Sequence, residues 1–162
     1  MLEFFSPRIK RMKRKRDVAG LIEALEADAP RARRAAANAL IEIPDRRALA
    51  PLMAALADSD AAVRANAALA LGEFEHSNPE TLGTIVEPLA AAFRDESPPV
   101  RAMAAAALGR MKSPRAVEPL TQLLSDESEL VRTTAMWVLQ GFEDQGVVPE
   151  GHSSPRAERS EL

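Results

Sequence analysis

Few residues in this 162-residue chain have side chains that could carry out covalent or metal chemistry. Cysteine is absent, which excludes thiolate catalysis, disulfide bonds and cysteine-ligated zinc or iron–sulfur clusters. The two histidines, His76 and His152, lie in a predicted loop and in the C-terminal tail. A zinc or iron site needs several converging ligands, and Glu75, His76 and Glu80 are a poor candidate for one, because a histidine in an exposed loop is more typical of a solvated side chain. We therefore predict no enzyme activity, no catalytic residue, no metal ligand and no cofactor.

Aspartate and arginine instead recur in pairs, six residues apart. The pairs are Asp58 with Arg64, Asp95 with Arg101, and Asp126 with Arg132. An aspartate in a turn and an arginine opening the next helix can form a ladder of charge-assisted hydrogen bonds between neighbouring units, and we favour this interpretation over a row of phosphate-binding arginines. We expect the carboxylates also to cap helix N-termini. Ala27 occupies the aspartate column in the first unit, so the ladder should be incomplete there.

These pairs belong to a repeat with a spacing of 31 residues. Two apolar columns recur in register, formed by Leu21, Leu52, Leu89 and Leu120, and by Leu40, Leu71, Leu108 and Leu139. Further apolar residues follow at spacings of three, four and seven, which describe one stripe along a helix. Each unit is therefore predicted to be a helical hairpin.

Turn residues set the expected helix boundaries. The first helices are predicted near 16–26, 46–57, 79–94 and 114–125, and the second helices near 30–43, 61–74, 98–111 and 128–141. The spacing rises to 37 between Val63 and Val100, which predicts a six-residue insertion in a loop at about 76–81. Pro51, Pro88 and Pro119 share a column, and they predict a bend inside the first helix of the second, third and fourth units. Gly20 holds that column in the first unit.

The pattern D-x-x-x-x-V-R-x-x-A-A-x-A-L-G occurs at residues 58–72 and 95–109, and A-V-E-P-L occurs at 116–120. These segments resemble HEAT repeats of the short, phycobilin-lyase-like type, over about residues 16–142. The resemblance implies an all-α, right-handed solenoid of about four hairpins. It also raises an alternative function, an accessory subunit in bilin attachment. The iron-dependent HEAT enzymes that hydroxylate deoxyhypusine carry paired His-Glu motifs, which this sequence lacks.

The N-terminal residues fit the same register. Phe5, Ile9 and Met12 align with core positions of the second helices, so residues 1–15 are predicted to be a capping helix with Ser6 as its N-cap. The repeat domain is predicted at 16–144, with repeats at about 16–45, 46–77, 78–112 and 113–144, and a disordered tail at 145–162. A membrane-surface helix at the N-terminus is the alternative, which the register argues against.

Charge is unevenly distributed along the chain. Seven cations form an N-terminal run, namely Arg8, Lys10, Arg11, Lys13, Arg14, Lys15 and Arg16, whereas the second half is acidic. The run could contact nucleic acid or an anionic surface, although the acidic second half argues against nucleic acid. Oppositely charged ends also permit head-to-tail self-association. The sequence has neither an apolar run of about 20 residues nor a signal-peptide pattern, so a cytoplasmic location is predicted.

The function predicted from these features is a non-catalytic protein-interaction module or scaffold. Its partner is expected on the concave face, lined by the second helices. The candidate contact residues are Arg34, Asn38, Asn66, Leu69, Glu73, Met103, Arg110, Thr134 and Trp137. Trp137 either anchors a helix or an extended peptide, or packs under the segment Val147-Val148-Pro149, and the sequence leaves both open.

Overall fold

The computed structural model describes residues 5–74 and 79–147, of which the side chains at positions 5, 6 and 79 are left undescribed. The described residues form nine α-helices and no strand. The helices are α1 Phe5–Lys15, α2 Val18–Leu25, α3 Pro30–Ile41, α4 Leu49–Ala55, α5 Ala61–Gly72, α6 Pro79–Ala91, α7 Pro98–Met111, α8 Val117–Gln122 and α9 Glu129–Asp144. Short 3₁₀ turns lie at 46–48, 92–94, 114–116 and 123–125. All eight predicted repeat helices are present.

The helices stack as an all-α solenoid. Each first helix (α2, α4, α6, α8) packs on the second helix that follows it, and the second helices (α3, α5, α7, α9) pack on one another in chain order. Alanine makes this close stacking feasible: Ala36, Ala67, Ala104 and Ala135 form one fully buried column. The leucines of the predicted columns are also fully buried, so the apolar stripes face one continuous core.

The N-terminal helix α1 takes the position of a second helix. It packs on α3 and α2, and it buries Ile9 and Met12. The helix begins at Phe5, so Ser6 lies within it rather than at the predicted N-cap position. Gly20 lies under this helix, because a Cβ there would come within 2.9 Å of the Met12 Cε atom. Its amide also donates to Asp17 Oδ1 at 3.0 Å, a bond that a proline in this column would remove.

The prolines in the shared column do not all interrupt a helix. Pro51 and Pro119 lie in the first turn of α4 and α8, each preceded by a 3₁₀ turn, and only Pro88 lies inside a longer α-helix. The 3₁₀ turn runs directly into the α-helix in both cases, because the Leu49 amide donates to the Arg46 carbonyl oxygen and the Val117 amide donates to the Pro114 carbonyl oxygen. Each of these two prolines therefore follows a change from 3₁₀ to α geometry, and a bend at Pro51 and Pro119 stays a prediction.

The insertion between the second and third units is not entirely a loop. Helix α6 begins at Pro79, as predicted for the first helix of this unit, so the last three residues of the loop predicted at 76–81 are helical. Thr81 is buried and accepts a hydrogen bond from Arg46 Nη2 at 2.8 Å. The insertion thus lengthens the first helix of the third unit and ties it to the unit before.

Candidate protein-interaction surface

The ladder arginines are placed by the repeat itself. Arg33, Arg64, Arg101 and Arg132 are each the fourth residue of a second helix. From that position Nη1 reaches back to a carbonyl oxygen in the turn of its own unit, for example from Arg64 to Asp58 at 2.8 Å and from Arg101 to Asp95 at 2.8 Å. These bonds fix the guanidinium so that Nε and Nη2 point toward the following unit.

Three of the four arginines meet an aspartate there. Arg64 Nε and Nη2 donate to the Asp95 carboxylate at 2.7 and 2.9 Å, and Arg101 donates to Asp126 at 2.8 and 2.7 Å. Arg33, which was not among the predicted ladder residues, donates to Asp58 in the same way at 2.6 and 2.9 Å. The sequence did contain a signal for Arg33, because it follows the aspartate column, occupied here by Ala27, by six residues, as the other ladder arginines do. The paired donors join adjacent units and are unavailable for phosphate.

These ion pairs shift the titration of the carboxylates. The hydrogen bond from Arg33 lowers the pKa of Asp58, and the hydrogen bond from Arg101 lowers the pKa of Asp126. Burial raises the pKa of Asp95, but the bonds from Arg64 and from the Ser97 amide outweigh burial and leave that pKa below its usual value. The carboxylates are therefore charged at neutral pH.

The predicted capping role of these carboxylates is wrong. Asp58, Asp95 and Asp126 accept from the backbone amide two residues on, at 2.8 Å in each case, which tightens the turn before the helix. The N-cap positions of α5, α7 and α9 belong to Asp60, Ser97 and Ser128, and among these only the Asp60 side chain caps its helix.

The second helices pack on one another along the stack, whereas the first helices make few contacts with one another. We call the open side of the second helices the concave face, after the face predicted from the sequence. The predicted contact residues other than Arg34 lie in three columns of the repeat that are three, four and seven residues apart. Arg34 lies beside them, in the column of Ala65, Ala102 and Thr133. None of the predicted contact residues is fully buried.

The N-terminal half of this concave face is occupied by polar pairs. Arg34 forms an ion pair with Asp60, and Glu73 forms one with Arg110 across α5 and α7. Asn66 Nδ2 donates to the Arg34 carbonyl oxygen at 3.3 Å. These side chains bridge neighbouring helices, which leaves Asn38 as the exposed amide of this half that could reach a partner.

The C-terminal half is apolar and open. A groove of about 550 Å³ lies between α7 and α9. It is lined by Ala106, Gly109, Arg110, Lys112, Thr134, Trp137, Val138, Gly141, Phe142 and Gln145. Trp137 is 70% exposed at its edge, and Leu130, which was not predicted, is 49% exposed one heptad earlier on the same face. Leu69 and Met103 are half-buried on α5 and α7.

Helix α9 ends in a closed backbone turn. Gly146 has a φ of 67° and its amide donates to the Glu143 carbonyl at 2.9 Å, while the Val147 amide donates to Phe142 at 2.8 Å. Val147 packs on the core, and Trp137 stays largely open. The rest of the proposed covering segment, Val148 and Pro149, lies outside the described residues, as do 150–162 of the predicted tail.

The basic N-terminal run is displayed on the outside of α1. Arg8, Lys10, Arg11, Arg14 and Lys15 are exposed. Lys13 forms an ion pair with Glu42 of α3, which helps to hold the helix in place.

Within residues 5–74 and 79–147, no group of three or more histidine, cysteine or acidic residues is arranged to hold a metal ion. In the same part of the chain, every helix is too short or too polar to cross a membrane.

Known proteins resemble this chain in fold and, over most of its length, in sequence pattern. No curated protein matches it. Human deoxyhypusine hydroxylase in complex with glycerol is similar over 80% of this chain, with 30% identity and a TM-score of 0.64, but the chain spans only 44% of that enzyme. A designed armadillo repeat protein in complex with the peptide (KR)4 matches 89% of this chain and 76% of its own length, with 21% identity and a TM-score of 0.60. The model of the HEAT repeats matches residues 18–89 and 85–150, and the chain therefore belongs to the HEAT-repeat family.

Proposed function

We propose that the chain is a non-catalytic protein-interaction module whose concave face binds a segment of a partner protein. The observation that carries this proposal is Trp137, which exposes 70% of its surface beside a groove. A large aromatic side chain left in water at the edge of a concavity is typical of a binding anchor. The ion pairs of Arg33, Arg64 and Arg101 with the next unit, by contrast, are satisfied internally and serve the fold.

The groove suggests what the partner presents. Its floor is formed by small residues, Ala106 and Gly109, so it accepts one or two apolar side chains against the Trp137 ring. Lys112 lies at the same groove and is exposed, which favours an acidic residue next to the apolar anchor. The designed armadillo protein, which holds a peptide, supports the use of this type of fold for an extended segment.

Affinity capture from the native host tests the proposal. Wild type is compared with Trp137→Ala and with the double variant Trp137→Ala/Met103→Ala, and Gln122→Ala on α8 is the matched surface control. We expect a bound protein that the wild type and the control retain and that both Trp137 variants lose, with melting temperatures within a few degrees of wild type. Equal capture by all four proteins, or a large fall in melting temperature for Trp137→Ala, would exclude the anchor role.

A second candidate function is binding of a polyanion through α1, which displays five exposed cations. Titration with a 20-base-pair duplex and with anionic vesicles tests it. Binding that weakens steeply with salt and disappears in Lys10→Glu/Arg14→Glu supports this function, and no binding at low salt rejects it. The bilin-attachment role and the phycobilin-lyase-like subtype stay predictions from the resemblance. Co-expression with a bilin tests the attachment role, and a protein that stays colourless would count against it.

A further inference from the structure

The last arginine of the ladder has the same internal contacts as the others but lacks an aspartate. Arg132 Nη1 donates to the carbonyl oxygens of Asp126 and Glu127 at 2.7 and 3.0 Å, as Arg101 Nη1 does to Asp95 and Glu96 at 2.8 and 3.3 Å. Within residues 5–74 and 79–147, however, no carboxylate accepts from Nε or Nη2 of Arg132. The guanidinium is thus held as in the other rungs, where it donates to a carboxylate. In this part of the chain, its Nε and Nη2 donors are left free to bind a carboxylate from another molecule.

The helix surface next to Arg132 is open as well. Ala68 on α5 and Ala105 on α7 are fully buried because the next second helix covers them. Met136 is their counterpart on α9, and it is 43% exposed. Thr133, the counterpart of the buried Ala65 and Ala102, is also exposed. We call Arg132, Thr133 and Met136 the α9 end surface.

We propose that the α9 end surface docks a helical hairpin of another protein, whose turn supplies an aspartate to Arg132 and whose following helix covers Met136. The site is separate from the concave groove, so it stands or fails independently of the function proposed above. The mode of docking continues the contact that joins the units within this chain. A planar fork with two donors selects a bidentate carboxylate.

The internal units define the chemistry of the partner turn. In all three, the acceptor is an aspartate whose Oδ1 also accepts an amide two residues on, from Asp60, Ser97 or Ser128. The helix that follows must approach closely, as Ala107 does over Gly72, where an added Cβ would lie 3.0 Å from the Ala107 Cα and Cβ atoms. An Asp-x-Ser or Asp-x-Asp turn followed by an alanine-rich helix therefore fits the surface.

A second copy of this chain fits less well. The described side chains of α1, residues 7–15, include six cations and no acidic residue. Helix α1 would therefore bring positive charge, and no carboxylate, to Arg132 if the N-terminal end of one copy stacked on α9 of another. Charge complementarity favours a foreign acidic turn.

The test uses the full chain and a synthetic, C-terminally amidated peptide with the sequence of residues 95–112, which supplies the turn and helix that cover α5 in the structure. Its binding is followed by NMR at the Arg132 Nε–H and at the Met136 methyl group. The matched control peptide carries Asp95→Asn. Arg132→Ala and Arg132→Lys probe the fork, and Trp137→Ala controls for the concave face.

We expect a saturable change at both groups that survives Trp137→Ala. Arg132→Ala removes both charge-assisted hydrogen bonds and should weaken binding about 10-fold to 100-fold. The Asn peptide keeps one oxygen acceptor but loses the carboxylate charge, so it should bind about 10-fold more weakly, and Arg132→Lys should show a smaller loss. The absence of a saturable change, or equal binding of the Asp and Asn peptides, would overturn the proposal. Sedimentation of the chain alone as a dimer that Arg132→Ala dissociates would overturn it in favour of a second copy.

Discussion

Residues of one type in one column of the repeat differ in their surroundings. Arg101 and Asp126 have side chains that are only 7% and 9% exposed, and they neutralise each other through two hydrogen bonds. Arg132 has the same neighbours within its own unit but no carboxylate ahead of it in the described residues. The two arginines therefore form a matched pair for measuring what one rung of the ladder contributes to stability.

We expect Arg101→Ala to lower the free energy of unfolding by about 2–4 kcal/mol, because it strands the Asp126 carboxylate in a largely buried position. Arg132→Ala should cost about 1 kcal/mol, since only hydrogen bonds to backbone carbonyls are lost. Urea denaturation of both variants gives the comparison. Equal losses would show that the inter-unit ion pair contributes nothing beyond the contacts within a unit.

The low pKa values of the aspartates make stability depend on acid pH. The hydrogen bond from Arg34 lowers the pKa of Asp60 to about 2, and the pKa values of Asp58 and Asp126 are also lowered. A carboxyl group with a lower pKa in the folded state stabilises the protein above its unfolded pKa of about 3.9, and this stabilisation is lost as the pH falls toward the folded value.

Urea midpoints measured between pH 6 and pH 2 should therefore be flat down to about pH 5 and then fall. Asp60→Asn should show a shallower fall than wild type, because one titrating group has been removed. Glu87→Gln on the exposed side of α6 is the control and should follow the wild-type curve. Parallel curves for wild type and Asp60→Asn would contradict the assigned role of Asp60.

At the level of elements, the sequence predicted the helices well, since apolar periodicity is local and the repeat presents it four times. It did not predict that Pro51 and Pro119 lie in first turns, because 3₁₀ and α segments share the same apolar pattern. Its two boundaries for the insertion overlapped, a loop at about 76–81 and a helix from 79, and the structure agrees with the helix, which begins at Pro79. The bond from Arg46 to Thr81 could not be predicted, because it joins two units.

The contact between α5 and α7 depends on a glycine. A Cβ at Gly72 would lie 3.0 Å from the Ala107 Cα and Cβ atoms, whereas a Cβ at Gly83 in α6 would meet nothing within 4 Å. Gly72→Ala should therefore destabilise the protein by about 1–2 kcal/mol through overpacking. Gly83→Ala should stabilise it by about 0.5–1 kcal/mol through helix propensity. Thermal unfolding of both variants checks the sign, and stabilisation by Gly72→Ala would show that the helices are less tightly packed.

At the level of the whole molecule, the two ends of the stack are different. The N-terminal end is closed by α1, which buries Ile9 and Met12. The double variant Ile9→Ala/Met12→Ala should lose about 4 kcal/mol or more, since each truncation leaves a cavity. Lys10→Ala/Arg14→Ala, on the exposed side of the same helix, should stay within about 1 kcal/mol of wild type. Similar small losses for both pairs would argue that α1 does not cap the stack.

The concave face could be predicted from the sequence only in part. The columns of the repeat identified Trp137 and its neighbours, but they missed Leu130, which lies one heptad before Trp137 in the column of Ala62 and Pro99. The ion pairs of Arg34 with Asp60 and of Glu73 with Arg110 could not be foreseen, because they join different units. Those pairs confine the proposed binding region to the groove near Trp137.

The central claim is that a partner covers this groove, and Trp137 reports on it directly because it is the chain's single tryptophan. The measurement is acrylamide quenching of tryptophan fluorescence, with a tryptophan-free partner or partner peptide identified by the capture experiment. The free protein should give solvent-like emission and efficient quenching, and the complex should give blue-shifted emission and several-fold weaker quenching. Equal emission and quenching in the free protein and the complex would contradict the claim.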